Sequence, residues 1–125
     1  MSLSDNNNEK RQFERYRSSI PVIIQKKGNI GTCECTLLDV SLNGFSVRLE
    51  NGKFKIDVDD NFLLIIDPKL FDIEINDKII INSICKRIDL ETLIIGSVFY
   101  KNTESIDKYI KIIVNSFKKI NENDY

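Results

Sequence analysis

The 125-residue sequence predicts a mainly β protein, a six-stranded antiparallel β-barrel followed by a C-terminal amphipathic α-helix. Three observations carry this expectation. Six short runs have strand composition, and in several of them every second side chain is apolar, the period of a half-buried strand. The connections are short and rich in Asp, Asn, Pro and Lys, with no crossover helix, so an antiparallel barrel or sandwich follows, and a chain of this size closes its sheet to remove exposed edges. After the sixth run the apolar period changes from two to that of a helix.

Residues 1–10 are mostly Ser, Asn, Asp and Lys and offer too little apolar surface to offset the entropy of ordering them, so they read as an N-terminal tail. The first strand covers Ile20 to Gln25, with Pro21 at an allowed starting position and Lys26-Lys27-Gly28-Asn29 as the turn after it. In the second strand Cys33, Cys35 and Leu37 share one face and Glu34 and Thr36 the other. In the third, Phe45, Val47 and Leu49 alternate with Ser46, Arg48 and Glu50. Between them Asp39-Val40-Ser41-Leu42-Asn43-Gly44 supplies the residue types of a tight polar turn. Further strands are expected over Phe62 to Ile66, Lys78 to Arg87 and Leu93 to Tyr100.

Ile106, Tyr109, Ile110, Ile113, Val114 and Phe117 then fall at helical spacing, with Lys108, Lys111, Asn115 and Lys118 opposite. Asn102 or Thr103 is the candidate N-cap, and the apolar face is expected to dock on the barrel. One domain over residues 11–120, with a short tail at 121–125, completes the reading.

Composition excludes several function classes. Eighteen basic and 19 acidic side chains give a net charge of -1, so the molecule as a whole does not attract polymeric nucleic acid or an anionic membrane. No apolar run approaches the roughly 18 residues of a spanning helix, and the first twenty residues lack the apolar centre of an export signal. A cytoplasmic protein without membrane insertion is expected. Cys33, Cys35 and Cys85 are an odd number, read as reduced core thiols, and the chain has no histidine to complete a zinc site. The absence of histidine also removes Ser-His and Cys-His nucleophile activation, and no phosphate-binding glycine loop or HExxH is present. The chain is not expected to be an enzyme, and no cofactor is implied.

Charge is locally uneven, however. Lys10, Arg11, Arg15 and Arg17 crowd one segment against only Glu9 and Glu14. Within it stands Arg11-Gln-Phe-Glu-Arg15, and two dozen residues later Asp39-Val-Ser41-Leu-Asn-Gly44. These two motifs, RxxxR and DxSxxG, in this order and at this separation, resemble the signatures of the PilZ domain family without a substitution. Pro21-Val22 opening the first strand, Gly96-Ser-Val-Phe99 in the last and the helix after it extend the resemblance from about Arg11 to Ile120.

The resemblance implies a receptor for cyclic di-GMP, with Arg11 and Arg15 gripping from the N-terminal arm and Asp39, Ser41 and Gly44 forming the barrel-side turn. The chemistry agrees. Cyclic di-GMP carries two phosphodiester charges and two guanines whose O6 and N7 acceptors fit the guanidinium fork. A carboxylate at Asp39 can accept from guanine N1 and N2, the Ser41 hydroxyl and turn N–H groups can meet phosphate oxygens, and Gly44 admits close backbone approach. Arg17, Arg48, Lys86 and Arg87 are assigned to solvated strand faces.

The expected function is a ligand-gated adaptor that orders its arginine segment and signals to an unidentified protein partner. The alternative is a protein of the same fold that acts by protein contact without nucleotide. A barrel that stacks single-stranded nucleic acid is disfavoured by the charge and by the absence of tryptophan.

Overall fold

The computed structural model describes residues 16–28 and 31–123. Six strands form in chain order: β1 (Tyr16–Lys26), β2 (Thr32–Val40), β3 (Gly44–Leu49), β4 (Asn61–Ile66), β5 (Ile79–Asp89) and β6 (Ile94–Phe99). A 3-10 turn at Pro68–Phe71 follows β4, and one helix, α1 (Glu104–Asn123), follows β6. The strands close into a barrel in the order β1-β2-β3-β6-β5-β4, each neighbour antiparallel, with β1 pairing β4 to seal it. Closure removes every free sheet edge among them.

Alternation decides which side chains fill the interior. Cys33, Cys35 and Leu37 on β2, Phe45, Val47 and Leu49 on β3, and Phe62, Leu64 and Ile66 on β4 are all buried, as the period-two pattern requires. Phe45 sits among them with ring centroids 5.9 Å from Phe62, edge to face, and 5.4 Å from Phe99, stacked. Such aromatic pairs add to the burial of the rings themselves. The three cysteines are free and buried, and burial pushes the thiols of Cys35 and Cys85 up, which keeps them protonated and inert.

The helix begins as its first residues dictate. Thr103 Oγ1 accepts from the Ile106 N–H at 3.3 Å and is the cap. Asn102 instead ties the start of α1 to β5, its side chain accepting from the Asn82 N–H at 2.9 Å and donating to the Asn82 carbonyl at 3.0 Å. Ile110, Ile113, Val114 and Phe117 are buried, and the Phe117 ring stacks on Phe71 at 6.1 Å. The helix packs chiefly on β1, with lesser contacts to β2, β5 and the 3-10 turn. No helix among the described residues is long and apolar enough to cross a membrane.

Candidate functional site

The β2–β3 turn is held from inside. The Ser41 N–H donates to the Gly44 carbonyl at 2.8 Å, and the Ser41 hydroxyl donates to Asn43 Oδ1 at 2.6 Å, with the Gly44 carbonyl 3.3 Å away. Ser41 is fully buried, so its hydroxyl shapes the turn, the local side-chain bonding for which serine is favoured at such positions. Gly44 is fixed for another reason. A Cβ there would overlap the Ser97 carbonyl oxygen and come within 3.2 Å of the Val98 Cα, both backbone atoms of β6. Asn43 adds a third tether, its carbonyl accepting from the Phe99 N–H at 3.0 Å. The turn is thus clamped against β6.

Asp39 reaches the outer surface through a bulge. Along β2 the residues Cys33, Cys35 and Leu37 point inward, and strict alternation would send Asp39 after them. Instead the β2–β3 register shifts between Leu37 and Asp39, so that Leu37 pairs with Val47 and Asp39 with Ser46. Ser46, flanked by the core residues Phe45 and Val47, faces outward, and half-buried Asp39 faces outward with it.

A second bulge does the same on β5. The register shifts between Cys85 and Arg87, turning Arg87 outward opposite Gly96. The third irregularity lies between Arg17 and Ile20 on β1, where Arg17 pairs with Asp39. All three register shifts among the described strands therefore border one row across five strands: Arg17, Asp39, Ser46, Gly96 and Arg87. Bulges concentrate where a sheet re-aims side chains for function. From Asp39 to Arg87 the row spans three strand spacings, about 14 Å.

The sequence places Asp39, Ser41 and Gly44 on one turn; in the structure Asp39 is paired within β2, Gly44 opens β3, and of the three only Ser41 lies in the connection between the strands. Arg11 and Arg15 lie outside the described residues. The next residue in the chain, Tyr16, pairs with Val40 at the foot of that turn. Arg87, expected on a solvated strand face, is exposed. Its place on the row escapes the sequence reading. The signal available is Lys86-Arg87, two charged residues in succession where alternation demands one. Of the other basic residues, Lys86 pairs with Asp59 at 3.3 Å, and Arg48 is exposed on β3.

A separate cleft of about 630 Å³ beside β1 and β2 presents Glu34, Glu50 and Asp67, with Lys78 paired to Asp67 at 3.6 Å. Its acidic lining is unsuited to a polyanion. Among the described residues no cluster of three or more His, Cys, Asp or Glu side chains is arranged to hold a metal.

Comparison with solved structures finds the same barrel. The PilZ domain of YcgR from Escherichia coli, a structure with c-di-GMP, superposes with a TM-score of 0.70 at 15% identity, covering 92% of this chain and 96% of that one. MotI/DgrA, the inhibitor of motility from Bacillus subtilis, gives 0.65 at 15% identity over 91% of this chain and 52% of its own. MrkH from K. pneumonia, in a c-di-GMP complex, gives 0.63 at 16% identity over 93% and 55%. The chain thus matches nearly the whole of the first and spans about half the length of the other two. No curated protein matches. The profile described as PilZ domain matches residues 9–92, which include both sequence motifs and strands β1 to β5, and the chain belongs to the PilZ domain family.

Proposed function

We propose that this protein is a cytoplasmic receptor for cyclic di-GMP, with a domain over residues 11–120, and that it signals to a protein partner rather than catalysing a reaction. The observation that carries the reading is the pairing of Tyr16 with Val40. Successive Cα atoms are about 3.8 Å apart, so the RxxxR segment ends one residue from the foot of the Asp39–Gly44 turn. The chain therefore enters the barrel beside this turn directly after the RxxxR segment, which supports the reading that the two motifs act together.

In this reading Arg11 and Arg15 close over the ligand, their guanidinium groups taking phosphate oxygens or guanine O6 and N7 and stacking on a base. Asp39, turned outward by its bulge, accepts from guanine N1 and N2. Ser41 and Gly44 hold the turn in the shape that offers main-chain N–H groups to phosphate. YcgR's PilZ domain and MrkH, two structures that this fold resembles, have c-di-GMP bound, and that supports the choice of ligand.

Isothermal titration of the wild type against the Arg11→Ala, Arg15→Ala double variant tests it. Each arginine contributes a charge-assisted bond of roughly 1.5–3 kcal/mol. Loss of both should weaken binding by about two to four decades with an unchanged circular dichroism spectrum. A double variant that binds as tightly as the wild type removes the site assignment. The signalling step is tested by hydrogen exchange, where ligand should protect residues 11–17; unchanged exchange there rejects an ordering switch.

A further inference from the structure

We propose that Arg87 is a third guanidinium of this site, a flat cationic platform on which one purine of the ligand stacks; the proposal rests on the receptor reading above. Its basis is the surface of the barrel and not the sequence motifs.

Arg87 owes its direction to the register shift after Cys85. Alternation would bury it behind Cys85, and the extra residue, Lys86, turns it onto the outer row instead. What it lies on is equally specific. The Nη2, Cζ and Nε atoms of Arg87 stand 3.0, 3.2 and 3.3 Å from the point a Cβ on Gly96 would occupy. Three atoms at nearly equal distance mean that the guanidinium lies across the glycine and does not point one edge at it. The missing side chain of Gly96 is the space that lets the group lie flat on the β6 backbone.

The residues between complete the platform. From Asp39 to Arg87 the row passes only Ser46 and Gly96, two small and buried residues, so no large side chain is rooted between the carboxylate and the exposed guanidinium. Arg87 also borders a cleft of about 670 Å³ on the β5–β6 hairpin, whose walls include Ile88 and Ile94 but also the carboxylates Asp89 and Glu91, so the ligand's phosphates belong over the row and not in that cleft. Among the described residues no carboxylate lies within ion-pair distance of Arg87, although its charge is felt at Asp89. A guanidinium with one face on a backbone and no described carboxylate within ion-pair distance is suited to a purine, whose π face attracts it, in a ligand whose phosphodiester charge it partly neutralises. Asp39 at one end of the row then reads a guanine edge while Arg87 at the other supports a ring.

The test is titration of cyclic di-GMP into the full chain as wild type, Arg87→Ala, Arg87→Lys and Gly96→Val, with thermal unfolding as the folding control. Removing the platform should raise Kd about tenfold in Arg87→Ala. Arg87→Lys should stay several-fold weaker than the wild type, since an ammonium keeps the charge and lacks the flat face. Gly96→Val should weaken binding by lifting the guanidinium off its floor, and if that variant misfolds the two Arg87 variants decide alone. Wild-type affinity in Arg87→Ala, or full rescue by lysine, overturns the platform while leaving the receptor reading intact. A wild-type chain that gives no binding sinks the receptor reading itself, so the two failures are separable.

Discussion

Gly44 meets a demand that the DxSxxG spacing does not express. As a motif residue it reads as a place where backbone approaches a ligand, whereas in the barrel its missing side chain is filled by the Ser97 carbonyl of β6. Both roles use the same chemistry, the absence of a Cβ, and stability separates them. Because the obstructing atoms are backbone and cannot rotate away, Gly44→Ala should destabilise by about 1–3 kcal/mol without any ligand present. The check is urea unfolding of the free protein, with a lower midpoint and an unchanged slope expected. An unaffected midpoint would mean that β3 and β6 part easily, contrary to the clamped turn described above. Ser41 behaves in the same way, since its hydroxyl, readable from sequence as a phosphate donor, is buried and bonded to Asn43.

At the level of elements, what can be read and what cannot divide along one physical line. Six strands and a helix are legible because a side chain's face follows from its own neighbours: Phe62, Leu64 and Ile66 alternate into the core, and Ile110, Ile113 and Phe117 fall at helical spacing. The bulges at Leu38 and Lys86 are not, because an extra residue in one strand is decided by pairing with its partner, and the partner lies elsewhere in the chain. Hence Asp39 is found through its motif, and Arg87, which has none, is not. Several strand ends shift by a residue or two, as at Leu93, whose φ of 60° belongs to the turn before β6, whereas β1 begins at Tyr16, four residues before the expected Ile20, and β2 runs through Val40 into the expected turn. The helix offers a prediction of its own. Phe117 is fully buried and its ring lies 6.1 Å from that of Phe71, so the side chain links α1 to the 3-10 turn. Phe117→Ala should cost about 3–5 kcal/mol, measured by denaturant midpoint. The row on the barrel wall includes no residue of α1 or of the 3-10 turn, so cyclic di-GMP affinity should persist in whatever fraction remains folded.

For the molecule as a whole, six strands close on themselves, Phe45 fills the centre, and the turn and the Asp39–Arg87 row belong to the barrel wall. On the proposed receptor reading, binding stabilises the native state alone, because unfolding separates Asp39 from Arg87. Linkage then sets the size of the effect. At a free ligand concentration of a hundred times Kd, stability should rise by about 2.7 kcal/mol, which for a chain of this length raises the unfolding midpoint by roughly 5–15 °C. The Arg11→Ala, Arg15→Ala double variant should keep the wild-type midpoint in the absence of ligand and lose the increment in its presence. The denaturant slope adds a second readout, since it scales with the surface exposed on unfolding. If ligand draws the arginine segment onto the row, the complex hides surface that the free protein exposes, and the slope should steepen on saturation. A midpoint that rises with no change in slope would mean that ligand binds the barrel wall without recruiting the arm, and the conformational step would then have to be sought outside the segment before β1.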